Sequence, residues 1–278
     1  MSMKIWHQSF TTLARVPEYN EKLRAHIKKV VRPDTEVVVH GTHAGTHDHR
    51  PGAGPSTDVG YAYMQALHAH QFAYAAVLAE EAGYDAFTLG TIPEPGIRET
   101  RSLVSIPVVG YGECAMSLAG HLGQKFGVLL FIKEMISMIE SNVARMGLTS
   151  RCAAIRYVGF PSSAVLPTKD APTDVLDIFF ENARRLIADG ADVIIPGEAP
   201  LSLLLHRAGI NRVDDVPVIE AVAATLKTAE LLVDMKQQLG VWRSTRGYYQ
   251  EIPPRERVKE LTQLYGISKL FSTVEQTT

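Results

Sequence analysis

Short β-branched runs alternate along this chain with longer segments of helical periodicity, and that alternation admits few architectures. Strands joined through helices pack back on one another as a parallel sheet crossed over by those helices, so the fold class is α/β. Strands are expected near Met3 to Trp6, Glu36 to His40, Ala86 to Leu89, Val108 to Tyr111, Phe126 to Phe131, Ala153 to Tyr157, Val193 to Ile195 and Val218 to Ile219. Helical patterns fall between them at Val16 to Val31, Tyr61 to Ala82, Cys114 to Leu122, Ile132 to Arg145, Thr173 to Asp189, Pro200 to Ala208 and Ala221 to Leu239.

A longer echo lies over this series. GYDAFTLGTIPEPG (Gly83 to Gly96) and GADVIIPGEAP (Gly190 to Pro200) share a Gly turn, an Asp, an apolar strand, then Gly and a polar residue. Each precedes a short strand introduced by Pro, Ile106-Pro107-Val108 and Val216-Pro217-Val218. Two similar α/β lobes would put Thr91 and Glu198 at matching strand ends, where ligands enter open parallel sheets.

Composition narrows the partners. Twenty-eight basic and thirty acidic residues are interspersed, for a net charge of −2, so no electrostatic footprint for nucleic acid or anionic lipid appears. The cysteines, Cys114 and Cys152, have neither disulfide nor thiolate-zinc spacing, which fits a reducing, cytoplasmic setting. MSMKIWHQSF lacks a basic-then-apolar signal pattern, and no apolar run approaches the ~20 residues of a membrane helix. The expected partner is a small molecule, with no nucleic acid and no membrane.

The stretch DAFTLGTIPEPGIRETRSLVSIPVVGYGECAM (Asp85 to Met116) resembles the aspartate/glutamate/hydantoin racemase superfamily, most of all its hydantoin racemase branch. That branch has a strand, a catalytic Cys, Asp-Pro-Gly, an Arg-Glu pair, then Pro-Val-Val-Gly and Glu. VPVIEAVAATLKTAELL (Val216 to Leu232) resembles the strand and helix that return the chain to the first lobe. The resemblance implies two pseudo-symmetric lobes, residues 1–105 plus 222–278 and residues 106–221, each a parallel sheet flanked by helices. It also implies an active site in the interlobe cleft, a homo-oligomer, and proton transfer at carbon by two thiols with no organic cofactor. Here both thiol positions are replaced, the first by Thr91 and the second by Glu198.

That departure selects the candidate residues. In a dry crevice the charged form of the Glu198 carboxyl is disfavoured, which raises its pKa toward the range useful for acid/base work. The alternative is a carboxylate that merely caps the helix beginning at Pro200. Thr91 would donate its hydroxyl to a developing oxyanion or partner Glu198; otherwise it satisfies nearby backbone. His7, Gln8 and Ser9 match the substrate-holding turn of the family and are expected to contact substrate, as is His40 at the next strand end. Glu113, in GYGE, either orients a substrate amide or caps its helix. Phe131 stands where many amino-acid racemases carry a carboxylate-binding Thr, which argues against an amino acid held in that way.

HGTHAGTHDHRPGAGP (His40 to Pro55) is too rich in Gly and Pro for a helix. Folded inward, His43, His47 and His49 would join Glu198 around zinc or another divalent metal, although their spacing fits no established zinc motif. Three readings stay open: an isomerase acting through Glu198 on a small carbonyl compound such as a hydantoin-like ring or related acid, a metal-assisted hydrolase or lyase, and a non-catalytic small-molecule binding protein.

Overall fold

The computed structural model of the protein describes residues 2–43, 58–166 and 173–267. The first half runs β1 (Met3–Gln8), α1 (Pro17–Val30), β2 (Thr35–His40), α2 (Ala62–Glu81), β3 (Ala86–Leu89), α3 (Ile97–Arg101) and β4 (Val108–Gly110). Its four strands form a parallel sheet in the order β2-β1-β3-β4. All of β3 is buried, as expected of a strand covered by helices on both faces.

The second half runs α4 (Tyr111–Leu122), β5 (Phe126–Leu130), α5 (Ile136–Arg145), β6 (Cys152–Tyr157), α6 (Thr173–Ala188), β7 (Val193–Pro196) and α7 (Ala199–Arg207). A parallel sheet of order β6-β5-β7 lies at its centre, and every residue of β5 and β7 is buried. A two-stranded hairpin, β8 (Arg212–Val213) with β9 (Val216–Pro217), leads into α8 (Ala221–Leu239), and α9 (Arg255–Leu264) follows.

The two halves share one apolar core. Met3 and Ile5 of β1, Val128 and Leu130 of β5, and Val193 and Ile195 of β7 belong to a single buried cluster. Helices α4 and α8 pack against each other within it, with the small side chains Ala115, Ala119, Ala224 and Ala229 all buried. Each Ile or Leu in that cluster contributes about 1.5–3 kcal/mol by leaving water. Glu220 starts α8 by accepting the Val222 and Ala223 N–H groups, and left-handed Gly240 ends it. No described helix is long and apolar enough to cross a membrane.

Several expectations change. Val108 to Gly110 pairs with Phe87 to Leu89, so this strand belongs to the first sheet, although a lobe boundary at residue 105 assigns it to the second. Val218 makes only a single bridge to Ile194, and the regular pairing falls one step earlier, in the β8-β9 hairpin. Two helices, α3 and α9, were not anticipated. Helix α4 begins at Tyr111 rather than Cys114, and the first turn expected of α5 is a 3-10 turn, Lys133–Met135.

Candidate active site between the two sheets

The C-terminal ends of both sheets face one cavity. After β1 come Ser9 and Thr11, after β3 Gly90 and Thr91, after β5 Phe131 and Ile132, and after β7 Glu198, all of which line it. Its volume is about 60 Å³, room for about four to six waters and so for a small molecule rather than a polymer. Tyr19, Met135 and Ser162 add to the wall, and no described lining residue is Lys, Arg or His.

Glu198 owes its place to the turn before it. A Cβ on Gly197 would collide with the Leu130 side chain and approach Leu129 O at 3.0 Å, so only glycine fits there. The backbone of Glu198 is extended and stands in the N-cap position of α7, yet its side chain makes no capping hydrogen bond. The carboxylate instead turns to the end of β5 and accepts the Phe131 N–H, at 3.0 Å through Oε1 and 3.2 Å through Oε2. Burial pushes its pKa up to about 8, against the opposing pull of the Phe131, Ile132 and Glu198 N–H groups. A carboxyl so placed is mostly protonated at neutral pH and ionised in about one molecule in ten, which lets it serve as acid or base.

Thr91 is half-buried and lines the same cavity from the first half. Ser9 also lines it; its N–H donates to His40 O at 2.8 Å.

The other described sequence candidates do not line this cavity. The His7 ring is buried with Nδ1 2.8 Å from the Thr88 hydroxyl, and Nε2 would be 2.6 Å from a Cβ on Gly90. Burial, helped by His40, holds His7 down to about 4, so the ring is neutral. The Gln8 amide accepts from the Trp6 indole at 3.1 Å and donates to Gly41 O at 2.9 Å, which uses both its ends inside the fold. The His40 ring stacks on Trp6 with centroids 3.4 Å apart, and burial with Arg24 and Lys4 nearby lowers it to about 4. Glu113 forms an ion pair with Arg101, which also donates to Val108 O. His43 donates its N–H to Gln71, while His47 and His49 fall outside the described residues. Among the described residues no three His, Cys, Asp or Glu side chains gather as a metal site.

Two functional-looking groups escaped the sequence reading. Glu94, buried between Pro93 and Pro95, has left-handed backbone at φ 51° and accepts the Glu113 N–H at 2.8 Å. Burial and the neighbouring Glu113 raise it to about 8. Tyr111 is fully buried and donates its hydroxyl to Pro196 O at 2.9 Å, from the end of the first sheet to the end of the second. A charged residue enclosed by two prolines in an otherwise apolar turn was the available signal for Glu94; none marked the target of Tyr111.

Two parallel sheets that open on one cavity, with a buried carboxyl on one side, make this a two-lobed α/β protein. Residues 18–229 match the family described as Asp/Glu/Hydantoin racemase, and the chain belongs to that family. The hydantoin racemase of Pseudomonas sp. (strain NS671) is 27% identical over 208 residues, 75% of this chain and 78% of that protein. The hydantoin racemase of Rhizobium meliloti is 28% identical over 155 residues, 55% of this chain, and the match spans 62% of that protein's length. Among solved structures, an allantoin racemase from Pseudomonas fluorescens superposes with a TM-score of 0.67 and 27% identity, covering 91% of this chain and 98% of that one. One from Klebsiella pneumoniae, 24% identical, shares the fold with a TM-score of 0.73 over 91% of this chain and 94% of its own.

Proposed function

We propose that this racemase-family enzyme interconverts the two configurations of a carbon beside a carbonyl in a small, neutral, hydantoin-like ring, with Glu198 as the principal acid/base. The observation that carries this reading is the placement of Glu198: a buried carboxyl with its pKa raised to about 8, facing Thr91 across a cavity that both halves line. The hydantoin and allantoin racemases among its relatives support the substrate class. So does the lining, which among the described residues offers hydroxyls and a carboxyl but no cation to neutralise a substrate carboxylate.

In its ionised form Glu198 takes the proton from the ring carbon, and the bonding pair moves onto the carbonyl oxygen as an enolate. Hydroxyl donors such as Thr91 and Ser9 face that developing charge. Reprotonation follows on the same face by Glu198, or on the other face by a solvent proton relayed through the Thr91 hydroxyl, in which case Glu198 releases its own proton to solvent. Because a hydroxyl is a poor proton donor, return to the Glu198 face is the faster path, and deuterium exchange outruns inversion once Glu198 trades its proton with solvent before giving it back.

The test is to incubate the protein with one enantiomer of a 5-substituted hydantoin in deuterium oxide and follow both optical rotation and loss of the carbon-bound proton. Wild type exchanges and racemises, while Glu198→Gln does neither. A fully active Glu198→Gln protein would exclude the acid/base role, and a wild type inert toward hydantoins would exclude the substrate class. Activity abolished by a chelator and restored by zinc would replace this mechanism with a metal-assisted one.

A further inference from the structure

The backbone that carries Glu198 is held from both sides. Two residues before it, Pro196 O accepts the hydroxyl of Tyr111 at 2.9 Å. Four residues after it, in the first turn of α7, the Ser202 hydroxyl donates to Glu220 Oε1 at 2.8 Å and accepts the Ala221 N–H at 3.2 Å. Glu220 is fixed in turn by the His26 ring of α1, at 2.9 Å, and by the N–H groups it caps at the start of α8. The Tyr111 and Ser202 side chains are buried, and neither belongs to the cavity wall.

These partners lie outside the second sheet. Tyr111 follows β4 of the first sheet directly, His26 stands on α1, and Glu220 precedes the helix that packs on the first sheet. We infer that Tyr111 and Ser202 are positioning residues for Glu198: two hydroxyls that clamp the β7–α7 turn to the end of the first sheet and to the start of α8, and so set the aim of the acid across the cleft. The inference rests on the reading of Glu198 as the acid/base. An acid misplaced by about 1 Å loses on the order of a hundredfold in rate, so a clamp on either side of the turn is a direct lever on turnover. Tyr19 and Glu220 are the other ionisable groups that approach Tyr111, and Glu198 itself acts on it.

Tyr111→Phe deletes only the hydroxyl and keeps the ring in its packing; Ser202→Ala does the same at the second clamp. Each is measured for melting temperature, for kcat and KM in the hydantoin exchange assay, and for the titration of Glu198. That titration is followed by carbon-13 NMR of glutamate-labelled protein and assigned by the signal missing in Glu198→Gln. The expected result is a folded Tyr111→Phe protein with kcat reduced about 10- to 100-fold, KM within about twofold, and the Glu198 midpoint lowered by about one pH unit as water reaches the loosened carboxyl. Ser202→Ala gives the same pattern, smaller, and answers the question if Tyr111→Phe does not fold. Wild-type kcat and an unmoved midpoint in a folded variant would overturn the inference. A fully active Glu198→Gln would instead sink the parent reading, and the titration would still report whether the clamp holds.

Discussion

The turns after β3 and β7 occupy matching places in the two halves, and each leads to a buried glutamate raised to about 8, Glu94 in one and Glu198 in the other. Their hydrogen bonds part them. Glu94 accepts the Glu113 N–H in the first turn of α4 and packs under Gly110, where a Cβ would collide with its carboxyl. Glu198 stands at the start of α7 but leaves that helix uncapped, takes the Phe131 N–H and lines the cavity. Burial alone therefore perturbs a carboxyl wherever it lies; what separates the two is that Glu198 lines the cavity and Glu94 does not. In the first half the turn after β3 presents Gly90, Thr91 and Pro93 to the cavity instead.

The largest effect should separate the two acids outright. Glu198→Gln should lower carbon-proton exchange about 1,000-fold, the scale of a lost general acid/base, with the circular dichroism spectrum unchanged. Exchange within threefold of wild type would erase the contrast between Glu198 and Glu94.

Next comes stability against pH. Each carboxyl keeps its proton in the folded state while the unfolded chain releases it near 4.5, so rising pH favours unfolding until about 8 is passed. Each contributes a loss of about 1.4 kcal/mol per pH unit over that window. His7 and His40, held near 4 in the fold, act oppositely between pH 4 and 6.5, where the unfolded chain binds the extra protons. The opposing slopes offset each other below pH 6.5, and stability falls between 6.5 and 8. Urea denaturation at three pH values would measure this, and Glu198→Gln should halve the decline; an undiminished slope would show that Glu198 is ionised throughout.

Thr91→Val should reduce racemisation about tenfold and exchange less, because the hydroxyl serves the far face and the oxyanion only. Equal losses in both assays would make Thr91 a partner in the first proton transfer. The smallest effect belongs to Glu94→Gln, whose amide oxygen can still accept the Glu113 N–H, so stability in urea should change by no more than about 1 kcal/mol with exchange nearly intact. Lost exchange at wild-type stability would give Glu94 a catalytic part.

Much of the fold was legible in the sequence. Strands buried on both faces read as continuous β-branched runs, and α8 spans the expected Ala221–Leu239 because Glu220 opens it and Gly240 closes it. Sheet membership of β4 was not legible, since Val-Val-Gly looks alike in either sheet and only pairing with Phe87 to Leu89 decides. Of the candidates, Glu198, Thr91 and Ser9 line the cavity; the first two were read from their places after matching strands and Ser9 from the family resemblance. His7, Gln8 and His40 did not behave alike, because Gln8 and His40 turn to Trp6 while His7 turns to Thr88. Tyr111 reaches a carbonyl 85 positions away, a distance across which local pattern carries no information.

The membership of β4 also governs where the protein can be divided. A cut at residue 106 would strip β3 of its neighbour and leave Phe87 to Leu89 as a bare apolar rim, a template for pairing with other chains. Pieces separated after Gly110 would keep that rim covered, so evolution by duplication, or an engineer splitting the halves, has its seam at Tyr111.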